Sequence, residues 1–297
     1  MQVQNIITTS YDDQQRLDNF LVKKLKKVPK SHIYKLIRSG QVRVNKKRAK
    51  PFQKLNQGDV VRIPPVSFSE NEEVQYNSSK KLEIIHDDKH LIVVNKPSGM
   101  AVHGGSGHSY GVIENLRSEF ANNDLQLAHR IDRDTSGCII ICKTRTALLD
   151  IHEKFRDRNI FKQYIAIVEN VAASGTIKSN IAVKRDNEGE RYSYDSEDGK
   201  PSKSIVKVLY SNKQFSLVLV RIITGRMHQI RMQLSNLGNP IIGDIKYGSK
   251  HKGFNLMLHS YQMQFECKGK DYDLKAKIPN KFLKALDFCK LSLLKLR

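Results

Sequence analysis

The apolar residues of this chain change their spacing at one point, Pro64-Pro65, and that change decides how the chain can be divided. Upstream the spacing is helical. Leu17, Phe20 and Leu21 stand at i, i+3, i+4, as do Ile33, Leu36 and Ile37, with Ser31 as the cap of the second helix and Gly40 as its stop. Val42-Arg43-Val44, a basic turn from Asn45 to Lys50, and Val60-Val61-Arg62-Ile63 then predict a small strand-turn-strand platform. Residues 16–65 read as one compact module, preceded by an N-terminal extension, 1–15. The polar stretch 66–81 behind the prolines reads as a linker.

From 82 to 297 the pattern belongs to a second, larger domain made mainly of strands, expected at 82–86, 91–95, 125–129, 138–143, 161–169, 204–210, 215–222 and 256–265. Thr144 is placed to cap a helix running to about Arg158. A second helix is expected from Arg226 to Leu237, with Met227, Ile230, Leu234 and Leu237 as its apolar stripe and Gly238 as its stop. Neighbouring strands with few helices predict an α+β fold with a largely antiparallel, mixed sheet.

Charge narrows the choice of partner. The chain carries 51 Lys and Arg against 30 Asp and Glu, a net charge of +21. Fifteen of those cations fall in residues 16–65, where only Asp18 and Asp59 oppose them. Drift toward lysine would spread the excess; its concentration predicts a face for a polyanion, with Lys30, Lys35, Arg38, Arg43, Lys46, Lys47 and Arg48 as candidate RNA contacts. No apolar run approaches the ~20 residues of a membrane span, and the first residues lack a signal-peptide pattern, so no membrane partner and a cytoplasmic address are expected. Cys138, Cys142, Cys267 and Cys289 form no C-x-x-C pair and read as reduced, structural thiols, with no metal site.

The densest polar cluster is His129-Arg130-Ile131-Asp132-Arg133-Asp134-Thr135-Ser136-Gly137, between two apolar strand candidates. A loop there would hold Asp132 between two arginines, ionised and able to act as nucleophile or base. Asp134, Thr135 and Ser136 read as turn residues bonding their own backbone, with Gly137 ending the turn. Turn chemistry gives no reason for Arg130 and Asp132 around an apolar residue. In Thr224-Gly225-Arg226-Met227-His228-Gln229-Ile230-Arg231, His228 and Arg231 lie three apart, which predicts a guanidinium pointing outward, opposite the apolar stripe. Asn95-Lys96-Pro97-Ser98-Gly99 ends a strand in a turn, and the glycine-rich stretch after Val102 lacks the Gly-Lys-Ser/Thr ending of a nucleotide-triphosphate loop. Tyr164 is either a core tyrosine or a surface on which a base stacks.

These residues resemble a known family. HRIDRDTSG resembles the central motif of the RluA-type pseudouridine synthases, NKPSGMAVHGG their first motif and TGRMHQIRMQL their third. The stretches RLDNFL, IRSGQVRVN and LNQGDVVRI are similar to the RNA-binding domain of small-subunit ribosomal protein S4, a small α/β module. Ile131 stands where leucine is usual and Met227 where threonine is usual. The resemblance implies a pseudouridine synthase fold with a central RNA-binding cleft, and isomerisation of specific uridines in large-subunit (23S) ribosomal RNA or its precursor. The enzyme would be a monomer without metal or organic cofactor. It implies Asp132 as the catalytic carboxylate, Arg130 as the residue that fills the place of a flipped base, Tyr164 under the uracil, and Arg231 as partner of the carboxylate. Whether Asp132 attacks C1′ or removes a sugar proton stays open at this level.

Two other classes fit part of the sequence. An RNA-binding or ribosome-assembly protein without catalysis would explain the basic module but not Arg130, Asp132, Tyr164 and Arg231. A nucleoside hydrolase would ask for a second cooperating carboxylate.

Overall fold

The computed structural model describes residues 3–25, 28, 30–66, 81–104, 111–185 and 190–293. Most of the linker, part of the glycine-rich stretch 104–107 and the side chain of Lys30 lie outside the described residues.

The two short helices of the module are Leu17–Lys24 and Lys30–Arg38. The second begins one residue before Ser31, the cap the sequence proposes, and ends where Gly40 takes a left-handed φ of 75° and bonds back to Ile37. Their apolar stripes meet over Val42, Val44, Leu55, Val61 and Ile63, all buried. Beneath lies a four-stranded antiparallel sheet in the order Gln4–Ile7, Val60–Ile63, Arg43–Val44, Lys47–Arg48. Gln4–Ile7, from the segment read as an extension, thus closes one edge of that sheet.

The larger sheet has eleven strands. Its main path runs Arg191–Asp195, Gly175–Arg185, Lys200–Ser211, Phe215–Ile222, Phe161–Glu169, Leu258–Cys267, Ser136–Cys142, Leu91–Lys96, Glu83–Asp87, with Lys270–Lys275 and Gln126–Leu127 pairing off it. Among the described strands one pair is parallel, Leu258–Cys267 with Ser136–Cys142; the others are antiparallel. This is the expected α+β class. At the parallel crossing, Gly137 has φ 109°, and a Cβ there would sit 2.2 Å from the Ser260 carbonyl oxygen. Gly137 is therefore required by the crossing of two strands, rather than by the end of a turn.

Continuous apolar runs mark the strands that are covered on both faces. In LIVV and CIIIC, Leu91, Val93, Cys138, Ile140 and Cys142 pack against Ala147, Leu148 and Ile151 of the helix Arg145–Arg156. The alternate residues Ile92, Val94, Ile139 and Ile141 pack against Val112, Ile113 and Leu116 of the helix Val112–Glu119. Thr144 caps the first of these, its hydroxyl accepting the Ala147 N–H at 3.2 Å. The other half of the sheet buries Ile165, Ile167, Leu217 and Val220 against Ile230 and Leu234, and against Phe282 and Leu286 of the helix Asn280–Phe288. All four cysteines are free and buried.

The helix expected from Arg226 begins only at Gln229 and ends at Asn236. Gln229 is the reason. Its side-chain oxygen accepts the Arg226 N–H at 3.1 Å and the Thr224 hydroxyl at 2.8 Å, which holds 224–228 as a turn, and His228 completes it with φ 49°. Leu237, assigned to the apolar stripe, is 57% exposed.

Candidate active site

Asp132 stands on the loop between Gln126–Leu127 and Ser136–Cys142. Ile131 beside it is buried among Val102, Ile113 and Ile139, which turns Asp132 the other way, toward a cleft of about 510 Å³. The alternation of Arg130, Ile131 and Asp132 is thus one anchor and two residues facing outward. The loop is held from behind by the Asn95-Lys96-Pro97-Ser98-Gly99 turn. The buried Lys96 ammonium donates to the carbonyls of Pro97 (2.9 Å), Met100 (2.7 Å) and Arg133 (2.6 Å). The Gly99 N–H also reaches Arg133 O at 3.0 Å, and the Ser98 hydroxyl reaches Asp134 O at 2.8 Å.

The cation that touches Asp132 is neither of its chain neighbours. Arg133 turns to Asp134, at 3.1 Å, and Arg130 is exposed at the cleft wall. Arg231 supplies the contact, donating from Nη1 to Asp132 Oδ2 at 3.1 Å. Its other edge forms a two-pronged bond to Asp244, 2.7 Å from Nε and 2.8 Å from Nη2. Arg231 therefore points inward and is buried, against the outward direction that helical periodicity suggested. Burial works against its charge, but the Asp244 bonds and charge, then those of Asp132, outweigh it and raise its pKa above that of ordinary arginine. Asp244 itself is buried behind Gly243, whose φ of 80° and close approach to the Asn255 carbonyl leave no room for a Cβ.

His228 adds a second, looser contact, Nε2 to Asp132 Oδ2 at 3.7 Å. Its Nδ1 lies 2.9 Å from Tyr247 Oη, which accepts the Ser193 N–H at 2.8 Å. The Tyr247 proton is then available to Nδ1, and Nε2 carries its hydrogen toward Asp132. Burial lowers the His228 pKa, with the Asp132 charge opposing. Ser136 is not a turn residue either: its hydroxyl meets His259 Nδ1 at 2.9 Å in the interior.

Tyr164, from the strand Phe161–Glu169, lines the same cleft and is 8% exposed. It is both a buried tyrosine and part of the cleft wall. Burial, then the Asp132 charge, pushes its phenol up to about 12, with the nearby Ser260 side chain opposing. The structure thus gathers Asp132, Arg130, Tyr164 and Arg231 around one cavity, as well as His228, Phe155, Arg156, Arg158, Lys162 and Arg226. Lys35, Arg38, Arg43, Lys46, Lys47 and Arg48 stand exposed on the separate N-terminal sheet and helix. Among the described residues no group of His, Cys, Asp and Glu has the arrangement of a metal site.

The sequence model of the RNA pseudouridylate synthases matches residues 90–236, and that of the S4 domain matches 15–61. Over 284 residues the chain is 44% identical to ribosomal large subunit pseudouridine synthase C of Yersinia pestis, covering 89% of this chain and 88% of that one. To the enzyme of the same name from Escherichia coli K12 it is 42% identical over 287 residues, 90% of each. The chain belongs to the RNA pseudouridylate synthase family. Among solved structures, human RNA pseudouridylate synthase domain containing 4 superposes with a TM-score of 0.61 at 26% identity, covering 71% of this chain and 94% of that one. The pseudouridine synthase match spans Asp132, Tyr164 and Arg231 but stops before Asp244.

The sequence gives no role to Asp244 or Lys162, and it places Lys96 only in the Asn95-Lys96-Pro97-Ser98-Gly99 turn and the first-motif stretch, without a role of its own. Asp244 carried one signal, a lone carboxylate after a glycine in a loop rich in turn residues. Lys96 carried another, a lysine ending a strand that opens with the apolar run LIVV.

Proposed function

We propose that this chain converts uridines of large-subunit ribosomal RNA, or of its precursor, to pseudouridine. The observation that carries the reading is the Asp132 carboxylate held by Arg231, itself clamped by Asp244, in a cation-lined cleft that also contains Tyr164. A uridine stacked in RNA cannot reach that cleft, so it must flip out, at a cost of a few kcal/mol. Arg130, exposed at the cleft wall, is the residue to occupy the vacated place. Asp132 acts at the ribose while the N1–C1′ bond breaks. The freed uracil turns over the Tyr164 ring, and C5 bonds to C1′. The C5 proton leaves and N1 takes one up, so the product is an isomer and the reaction balances without metal or cofactor. Tyr164 is the group beside the base that assists this proton step. Arg231 keeps the carboxylate oriented throughout.

The N-terminal module brings RNA to the enzyme through Lys30, Lys35, Arg38, Arg43, Lys46, Lys47 and Arg48. A monomer working in the cytoplasm goes with this reading. The test is to map pseudouridine in large-subunit ribosomal RNA from cells with and without the protein, and to analyse products from the purified enzyme. Missing pseudouridines that the enzyme restores to a transcript support the reading. Free uracil would make the protein a hydrolase, and bound but unchanged RNA would make it a binding protein.

A further inference from the structure

Lys162 is a largely buried cation that no carboxylate balances among the described residues. It lies two positions from Tyr164 on the strand Phe161–Glu169, so both side chains leave the same face, and both line the cleft. Only 7% of Lys162 is exposed. Among the described residues its ammonium meets no carboxylate and no carbonyl; it faces the Phe155 ring, 5.4 Å from the centroid, and the like charge of Arg158. Lys96 shows what a structural buried lysine looks like here, with three carbonyls around its three N–H bonds. Burial draws Lys96 down to about 7 and Lys162 to about 8, where Arg158 adds to the effect. With most of its side chain buried and no carboxylate or carbonyl bonded to it, the ammonium reaches the cleft with its N–H bonds free, and such a group in a cleft is a site for a ligand.

The surrounding walls identify the chemistry of that ligand. Arg130, Arg156, Arg158 and Arg226 line the same cleft, and Asp132, the one carboxylate there among the described residues, is already held by Arg231. A neutral base edge would leave the repulsion between Lys162 and Arg158 unrelieved, whereas an anion would remove it. We propose that Lys162, seated on the Phe155 ring, is the phosphate-binding residue of the cleft and takes an RNA phosphodiester next to the uridine that lies against Tyr164. This rests on the reading that the chain acts on uridine in RNA.

The test uses the full chain and an in vitro transcript of large-subunit ribosomal RNA. Binding is measured against salt, and pseudouridine formation is measured separately. Lys162→Met should lower the slope of log affinity against log salt by about 0.7 to 0.9, the value of one lost phosphate contact. Its apparent KM should rise about ten- to a hundred-fold, with a much smaller change in rate at saturation. Lys162→Arg should restore the slope, and the melting temperature of the Met variant should not fall, since a buried charge has been removed. An unchanged slope overturns the proposal. So does a loss confined to the saturated rate, which would make Lys162 a proton-transfer group, or a lowered melting temperature with normal binding, which would make it structural. If wild-type protein makes no pseudouridine, the functional reading fails, while the slope at Lys162 is still measured by binding alone.

Discussion

In the N-terminal module Lys35, Arg38, Arg43, Lys46, Lys47 and Arg48 stand in water, while in the cleft Arg231 and Lys162 are buried, one between two carboxylates and one over an aromatic ring. The difference is in how each charge is used. Exposed cations act together as a field that salt screens, and each is replaceable. Buried cations act one at a time, at fixed distances, and removing a single partner leaves an uncompensated group. Under the proposed function the first kind would attract RNA and the second would handle one nucleotide of it.

Asp132→Asn should show this contrast most strongly. The amide keeps the shape but loses the charge, so pseudouridine formation should vanish. RNA affinity should stay within a few-fold, because the module is untouched and Arg231 keeps both bonds to Asp244. Substantial turnover by this variant would remove Asp132 from the chemistry; a collapse in affinity would merge the two regions into one binding surface.

Tyr164→Phe comes next. The ring remains, so stacking and RNA binding should persist, while release of tritium from C5-labelled uridine slows by roughly 100 to 10,000-fold. A bland tyrosine would behave otherwise, losing about 1 kcal/mol of stability from a missing hydrogen bond and turning over normally in its folded fraction. Tritium release beside a thermal melt of the same preparation separates the two.

How much of this could be read from the chain depended on which face each residue shows. Runs such as CIIIC and LIVV announce strands buried on both sides, and Thr144 announces its helix. Gly175–Arg185, Arg191–Asp195 and Lys270–Lys275 escaped because they lie toward the polar margin of the sheet, where GTIKSNIAVKR exposes most of its residues and no alternation stands out. Asp132 was legible as a charge with no turn role. Arg231 was legible as a residue but not in direction, since its helix buries Gln229, Arg231 and Gln233 among serines and carboxylates, and periodicity takes polar positions for solvent positions. Asp244 has no spacing relation to Asp132 and is brought to it by tertiary structure alone.

Acid should also divide the molecule. His129, which accepts the Ile140 N–H at 3.1 Å, and His259 are held neutral by burial, with pKa values lowered to about 3 and about 4. Both values lie below that of an unfolded histidine, so the unfolded chain binds protons first. Stability present above pH 6.5 is lost as pH falls from there through 4 toward 3, by about 2 kcal/mol for each histidine at pH 5. In the module the lowered group is Asp18, opposed by burial but bonded to Arg16 and Tyr34, and its contribution is lost only below about pH 4. Hydrogen exchange corrected for intrinsic rates, run at pH 7, 6 and 5, should show Ser136–Cys142 losing protection before Leu17–Lys24 does. Equal loss in both regions would mean that these histidines do not set the acid limit of the larger domain.

The smallest effect is expected where the sequence is most conspicuous. Lys47 lies in the most basic stretch of the chain and is exposed on a two-residue edge strand. Lys47→Gln removes one charge from a surface where at least five other exposed cations remain, and no buried partner is left behind. Affinity for a ribosomal RNA transcript should fall only a few-fold, with the salt slope lowered by no more than about 0.9, and with rate at saturation and melting temperature unchanged. Replacing Lys35, Arg38, Arg43, Lys46, Lys47 and Arg48 together should then lower the slope by roughly the sum of the single steps, because a field of solvated charges adds. The cleft behaves in the opposite way, since Asp132, Arg231 and Asp244 share bonds and their losses cannot add. A single Lys47 change that abolished binding would give the module a specific, positioned contact of the kind found in the cleft, and the division between field and site would no longer hold.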